Sequence, residues 1–297
     1  MSKAFNKLFV NNAWTIGYRK ISSQHVDVPE DNSEKKEYKM LPVSDRYYYA
    51  DPFVYEDGSN VYLFAEMMDR HRGIGTIAVS ELTNGEFGKF REVLREPFHV
   101  SYPNVFKYEN SVYMIPESSA NKEIRLYKAV EFPNVWQLEK VVLSGAPYVD
   151  TSIVVNGDIL TLYTYYIDER NEKHSEKYLL NLSNGNIVKD KNCILINERP
   201  AGNPIKIDNA IIRPLQDCDD YYGKGIIWAK ESDGHETQSG YLSFGNYQMI
   251  PKYNNVTGTH TINRSEHYEV IDIRFDKVCL SKQFIRVINR LKRGKNK

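Results

Sequence analysis

The chain has 297 residues, and its 39 Lys and Arg balance its 39 Asp and Glu. Bulk charge therefore gives no pull on a nucleic acid or another polyanion, and no apolar run reaches the length of a membrane-spanning helix. The 22 tyrosines suit a strand-rich, turn-rich chain. In chain order, Met1 to Lys7 lacks the apolar centre of a secretory signal. Ala13–Tyr18 and Tyr38–Pro42 read as strands outside any repeat, with a polar, charged loop from Ser22 to Glu37. Cys193, Cys218 and Cys279 are widely spaced, without a CxxC pair. They read as free thiols of a cytosolic protein, and no Cys or His pair has zinc-ligand spacing.

From Asp51 onward the chain repeats. Asp51-Pro-Phe-Val-Tyr-Glu-Asp-Gly-Ser-Asn-Val-Tyr-Leu-Phe-Ala-Glu66 is matched in length and register by the segment from Tyr102-Pro-Asn-Val-Phe to Glu117. Further copies start at Asp150, Gly202 and Gly258, giving intervals of 51, 48, 52 and 56 residues. Each copy opens with a hairpin, as in Phe53–Tyr55 and Val61–Phe64 around a Gly58 turn. Two more strands are expected after each of the first four hairpins. They are Gly75–Ser80 and Phe90–Leu94, Ile124–Lys128 and Trp136–Leu143, Lys177–Leu180 and Cys193–Ile196, then Gly225–Ala229 and Tyr247–Ile250.

Four strands in about 50 residues is the pattern of a β-propeller blade. The expectation is an all-β, five-bladed β-propeller forming one domain over residues 1–281. One of the two N-terminal strands would complete the last blade and remove an exposed edge. Residues 282–297 place Phe284, Ile288 and Leu291 on one face of a basic segment. That predicts a short amphipathic helix able to contact an anionic membrane surface, or to pack on the propeller with a solvated tail.

The first strand of each blade lines the central channel, so its opening residues converge on one funnel. Those residues are Asp51, Tyr102, Asp150, Asn203 and His260. The second strands end at Glu66, Glu117, Arg213 with Asp217, and Asp272. Neighbouring carboxylates can serve as acid, base or nucleophile at a glycosidic bond when their surroundings split their pKa values. Plainer roles exist for each. Asp51 and Asp150 can cap turns, the recurring Glu66 and Glu117 can be structural, and Arg213 can pair with Asp217. His260 can be a satisfied structural histidine. Tyr47, Tyr48, Tyr49, Tyr102, Tyr148, Tyr165 and Tyr166 lie close to the predicted funnel, as sugar platforms or as strand packing. Gly73-Ile-Gly75 is not a dinucleotide fingerprint, and no P-loop, GxSxG or HExxH occurs.

Two resemblances follow from these residues. Asp51-Pro and Asp150 resemble the blade openings of five-bladed propeller glycosidases of the arabinanase and β-xylosidase type. That likeness implies a base at Asp51 and a pKa-tuning Asp at Asp150. The general acid of those enzymes opens the fourth blade, where this chain offers only Glu198. The second resemblance spans most of the chain. Tyr49-Ala-Asp-Pro-Phe, Ser101-Tyr-Pro-Asn-Val-Phe, Tyr113-Met-Ile-Pro-Glu-Ser-Ser119, Asp150-Thr, Arg199-Pro-Ala-Gly202, Arg213-Pro-Leu-Gln-Asp-Cys218, Tyr222-Gly and Gly258-Thr-His-Thr-Ile-Asn263 occur in order. Together they resemble the N-terminal domain family of glucosamine inositolphosphorylceramide transferases. Bacterial relatives of that domain occur in cell-surface polysaccharide synthesis.

The resemblance implies a glycosyltransferase of polysaccharide or glycolipid assembly, working in the cytoplasm or at the inner face of the cell membrane. Asp51 would activate an acceptor hydroxyl, with Asp150 and Glu117 holding sugar hydroxyls or tuning that group. Arg199, Arg213 and His260 would offset donor phosphate charge. Tyr102, Glu66, Asn203, Asp217 and Asn263 would complete the sugar site. The partners would be a nucleotide-sugar or lipid-phosphate donor and a glycan or lipid-linked acceptor. Metal need stays open, because no Asp-x-Asp marks a site. A glycoside hydrolase and a non-catalytic sugar-binding module are the alternatives.

Overall fold

The computed structural model describes residues 10–21, 36–44, 46–207, 210–243, 245, 247–250 and 256–278. Two strands precede the repeats, β1 (Val10–Lys20) and β2 (Lys36–Met40). Blade 1 holds β3 (Tyr47–Asp57), β4 (Asn60–Asp69), β5 (Gly75–Thr83), β6 (Glu86–Phe87) and β7 (Arg91–Leu94). Blade 2 holds β8 (Ser101–Tyr108), β9 (Ser111–Ser118), β10 (Glu123–Glu131) and β11 (Val135–Ser144). Blade 3 holds β12 (Val149–Asn156), β13 (Ile159–Ile167), β14 (Lys173–Asn181) and β15 (Ile187–Lys189). Blade 4 holds β16 (Ile205–Ile207), β17 (Ala210–Asp217), β18 (Gly225–Ser232) and β19 (His235–Ser243). Blade 5 takes β20 (Tyr247–Ile250), β21 (Val256–Gly258), β22 (Ile262–Arg264) and β23 (Tyr268–Val278). The fold is a five-bladed β-propeller.

Both N-terminal strands, not one, close the ring. β1 runs antiparallel to β23 along its whole length, and β2 pairs with β1 on one side and in parallel with β20 on the other. Lys36 and Glu37 therefore belong to a strand. The rest of the expected loop and the expected helix over 282–297 lie outside the described residues. Two outer strands also differ from expectation. Blade 3 ends with Ile187–Lys189, while Ile194 bridges to His235 of blade 4. Blade 4 ends with His235–Ser243, and Tyr247–Ile250 belongs to blade 5. Outer strands bury little surface, so their apolar pattern is weak and pairing decides the assignment.

Apolar clusters fill four of the five gaps between blades. Phe53, Phe64, Tyr102 and Trp136 join blades 1 and 2, and Phe106, Ile115, Leu160 and Leu162 join blades 2 and 3. Trp228, Ile212, Ile271 and Met249 join blades 4 and 5, and Ile16, Leu63, Tyr268 and Val270 join blades 5 and 1. The gap between blades 3 and 4 is polar instead. Arg213 lies 4.5 Å from the Tyr163 ring centroid and is ion-paired to Glu236, whose side chain is fully buried. Glu231 accepts bonds from Lys177 at 2.5 Å and Tyr163 at 2.8 Å. Arg213 is therefore a blade-to-blade contact, and its partner is Glu236 rather than Asp217.

The inner strands share a bulge. The register shifts between Ala50 and Phe53, Ser101 and Asn104, and Val149 and Ser152. The bulged residues Asp51, Tyr102 and Asp150 have φ of 50°, 49° and 47°, and Gly202 has φ of 142° at the same place in blade 4. A bulge of this kind interrupts the ladder and re-aims the side chain it carries. In two blades the freed amide is taken by a carboxylate of the preceding blade. Asp51 N–H donates to Asp272 Oδ2 at 3.4 Å, and Asp150 N–H donates to Glu117 Oε2 at 3.2 Å.

Candidate functional site

The inner ends of the second strands hold Glu66 opposite Ala50, Glu117 opposite Ser101, and Tyr165 opposite Val149. In blade 4 the matching residue is Gln216, whose N–H donates to Arg199 O, and in blade 5 it is Asp272, bonded to Thr261 O. Successive strand residues face opposite sides, so Arg213 and Asp217 point away from the place that Gln216 occupies. Asp217 accepts from Tyr241 at 2.8 Å and lies 3.3 Å from Lys224, on the blade's outer side.

The bulges and these strand ends enclose a cleft of about 200 Å³ on the propeller axis, lined by Asp51, Glu66, Glu117, His99, Arg199 and His260. Trp14, Tyr48 and Tyr222 form its aromatic wall. The Trp14 and Tyr222 rings lie 4.4 Å and 4.9 Å from the His260 ring. The fully buried Asp150 sits behind the lining, bonded to Arg199 Nε and, at 2.7 Å, to Gln216 Nε2. Its Oδ1 has no hydrogen-bond partner. Arg199 also approaches Glu117 Oε2 at 3.4 Å, which ties Asp150, Glu117 and Arg199 into one group. Glu198, the only acid offered by the fourth copy, is held by Lys173 at 2.9 Å and does not line the cleft.

On the opposite wall His260 stands between two aspartates. Its Nε2 is 3.1 Å from Asp51 Oδ1, and its Nδ1 is 2.7 Å from Asp272 Oδ2, an ion-pair distance without hydrogen-bond alignment. Thr261 Oγ1 donates to Asp51 Oδ1 at 3.0 Å, and the His260 and Thr261 amides donate to Asp272 Oδ1. Burial alone would disfavour an imidazolium, but Asp272 and Asp51 raise His260 well above the ordinary histidine range. Asp51, His260 and Asp272 are close enough to hold a cation. A metal there would take the place of a ring proton, which the two carboxylates otherwise favour.

Five carboxyl groups thus meet two cations, and they divide. Burial acts to raise Asp51, but the hydrogen bond and charge of His260, with Arg199 and Thr261, hold it below the ordinary range. Glu66 is raised well above the ordinary range by burial and by the charges of Asp51 and Glu117. Asp150 is raised by burial and by Glu117 and Asp51, which outweigh Arg199. His99 is lowered by burial. Its Nδ1 accepts from Gly75 N–H at 3.1 Å, so the proton is on Nε2, 3.5 Å from Glu66 Oε1. Gly75 keeps this contact open, since a Cβ there would lie 2.6 Å from Glu66 Oε1.

The carboxyl of Glu66 carries a testable stability effect. A buried acid with a raised folded-state pKa binds its proton more tightly folded than unfolded, so stability falls as pH rises above about 4.5. Glu66→Gln removes that loss. Its Tm is expected to exceed the wild type by about 2–5 °C at pH 7, with the gap closing toward pH 4. Equal melting curves at pH 7 would show that Glu66 is not strained.

Several expected sugar-site residues serve the frame instead. Tyr102 donates its hydroxyl to Ser152 Oγ at 2.8 Å and packs on Phe53, away from the cleft. Asn203 and Asn263 lie in an asparagine belt on the axis. Asn263 Nδ2 donates to Pro52 O, Asn203 N–H donates to Asn263 Oδ1, and Asn104 and Asn203 bond across the axis at 2.5 and 2.8 Å. Their amides join the blades. Tyr148 and Tyr166 pack edge to face, Tyr165 is buried, and Tyr47 and Tyr49 line a different cleft. The sequence reading passed over Trp14, His99, Gln216 and Tyr222. Gln216 and Tyr222 had entered only as members of the family motifs Arg213-Pro-Leu-Gln-Asp-Cys218 and Tyr222-Gly.

A family profile described as "Glucosamine inositolphosphorylceramide transferase 1, N-terminal" matches residues 42–232. The chain belongs to this family. Relatives named glucosamine inositolphosphorylceramide transferase 1 are 32% identical over 191 residues in Oryza sativa subsp. indica and 34% identical over 192 residues in Arabidopsis thaliana. The matches cover 60% and 61% of this chain but 25% of each relative, so the chain spans about a quarter of the curated relatives it matches. Among solved structures, the catalytic domain of a Coprinopsis cinerea family 62 α-L-arabinofuranosidase aligns with a TM-score of 0.60 at 13% identity, covering 82% of this chain and 98% of that one. A family 117 glycoside hydrolase of Zobellia galactanivorans aligns with a TM-score of 0.57 at 10% identity, covering 93% and 92%. These likenesses establish the fold.

Proposed function

We propose that this propeller is a carbohydrate-active domain that transfers a glycosyl group in polysaccharide or glycolipid assembly. One observation carries the reading: within a single cleft Asp51 is held ionised while Glu66 is driven to keep a proton. Paired carboxyl groups pushed apart in this way mark a base and an acid. Asp51 accepts the proton of an acceptor hydroxyl as its oxygen attacks the anomeric carbon. Glu66 returns a proton to the leaving oxygen, so charge balances over the step. Trp14 and Tyr222 give flat apolar surfaces for a sugar ring. Arg70 lies 5.9 Å from the Tyr48 ring centroid, with Nε and Nη2 buried and without a partner among the described residues. An unsatisfied guanidinium edge at that position favours a donor carrying phosphate. The reading includes a cytoplasmic setting at the inner face of the cell membrane.

The test is a screen of nucleotide sugars with a lipid-linked acceptor, read by mass spectrometry. Transfer is expected for a subset of donors, and Asp51→Asn is expected to lower it about a hundredfold or more. Unchanged transfer by Asp51→Asn would overturn the assignment. The same acid and base pair supports a second reading, hydrolysis, in which water takes the acceptor's place. Release of reducing sugar without a donor, sensitive to Asp51→Asn, would select it. Glycan binding with no turnover on any donor would reduce the domain to a binding module.

A further inference from the structure

A second, larger cleft of about 670 Å³ opens beside the central one. The top of the β3–β4 hairpin is the wall between them. Tyr48, Glu66 and Met68 line the central cleft, whereas Tyr47, Tyr49, Met67 and Asp69 line the outer one. The strand alternation sends neighbouring residues to opposite clefts. The outer cleft lies on the blade 5 side of blade 1, where Tyr49 and Phe90 pack against the shared apolar cluster. Nothing in the proposed transfer reaction uses it.

Its chemistry is specific. Tyr49 and Phe90 stack with centroids 4.3 Å apart, an aromatic pair in the cleft lining. Arg46, Arg72, Lys89 and Arg95 line the cleft with this pair, against Asp69 and Glu92 among the described residues. Asp69 is shared by Arg46 at 3.0 Å and Arg72 at 3.9 Å, and Glu92 is taken by Arg95. Lys89 is exposed and has no carboxylate partner among the described residues. Among the described residues the cleft thus keeps an excess of positive charge beside an aromatic pair, within the volume range of small-molecule sites.

We propose that this outer cleft binds a saccharide bearing an anionic group, phosphate or carboxylate. The sugar ring packs against the Tyr49–Phe90 pair, and Lys89 with Arg72 meets the anion. The proposal is independent of any turnover in the central cleft. It is tested by saturation-transfer NMR and titration of the whole chain with glucose 6-phosphate, glucuronic acid and uncharged glucose. One or both anionic sugars are expected to bind more tightly than glucose, and more weakly as salt is raised. The Lys89→Glu, Arg72→Glu double variant is expected to weaken that binding about tenfold or more. Both positions are exposed, so this variant keeps the fold. Tyr49→Phe is expected to retain binding, and Asp51→Asn to leave it unchanged. Glucose binding as tightly, no binding of either anionic sugar at 20 mM (roughly −2.3 kcal/mol by the affinity relation), or indifference to the double variant would overturn the site. Loss of binding in Asp51→Asn would also overturn it, by assigning the ligand to the central cleft.

Discussion

Gly202→Ala is expected to lower the Tm by about 10 °C or more, or to prevent soluble expression altogether. Two independent effects add at this position. Gly202 has φ of +142°, a backbone region that side chains with a Cβ rarely enter. A Cβ built there would also lie 1.8 Å from the carbonyl oxygen of Ile262, which is an overlap of backbone rather than of a movable side chain. Relief requires β22 to move away from blade 4. That movement breaks the bond from Ile262 N–H to Ala201 O at 2.8 Å and disturbs the Asn203–Asn263 contact at 2.8 Å. It also displaces Gly202 O, the acceptor of Ser152 Oγ at 2.6 Å, so the damage spreads to blade 3. Gly58→Ala is the control. Gly58 has φ of +60° in an open hairpin turn with nothing within 4 Å, and its substitution is expected to cost only about 1 kcal/mol. Thermal melts of the two variants side by side check the comparison. A Gly202→Ala variant melting within about 2 °C of wild type would mean that blades 4 and 5 do not approach as described.

Gly202 also shows what was and was not legible in the chain. The repeat aligned Asp51, Tyr102, Asp150 and Gly202; the first three share the bulge with φ near 50°, and Gly202 has its own positive φ of 142°. Sequence register thus located a conformation without naming it, because no residue type announces a bulge that Asp and Tyr both occupy. Asp51 and Glu117 lining one cleft, with Asp150 bonded behind it, followed from the same register. The errors have a common source. In blade 4 the alignment was anchored on the prominent Arg213 and Asp217, and strand alternation gave the inward place to Gln216 instead. Asn203 lies just before β16 and Asn263 within β22, and a position near the axis can serve the belt between blades as well as a ligand. Trp14, His99 and Tyr222 come from the closing strand and from connections between strands. They lie outside the repeat, so periodicity carried no information about them. The aromatic wall and the histidine beside Glu66 became visible only when the ring had been closed.

His260→Ala is expected to destabilise the protein by about 3–5 kcal/mol, because it leaves Asp51 and Asp272 buried without the cation between them. The loss has a pH signature. His260 has its folded-state pKa raised above the unfolded value of about 6.5, so its stabilisation is complete below that pH and is lost as pH rises through the folded value. His99, lowered by burial, acts in the opposite sense and costs stability as pH falls below about 6.5. The difference between wild type and His260→Ala isolates the first effect, since His99 is common to both. That difference should be constant through mildly acidic pH and shrink toward alkaline pH. Adding Asp51→Asn to His260→Ala should recover part of the loss, because one of the two stranded charges is then absent. The double-mutant cycle gives a coupling distinct from zero if the imidazolium bridges the two carboxylates. Strict additivity, or a stability difference that grows above neutral pH, would instead place a neutral ring between them. Asp51 would then lack the cation that keeps it ionised, and with it the contrast to Glu66 on which the acid and base assignment depends.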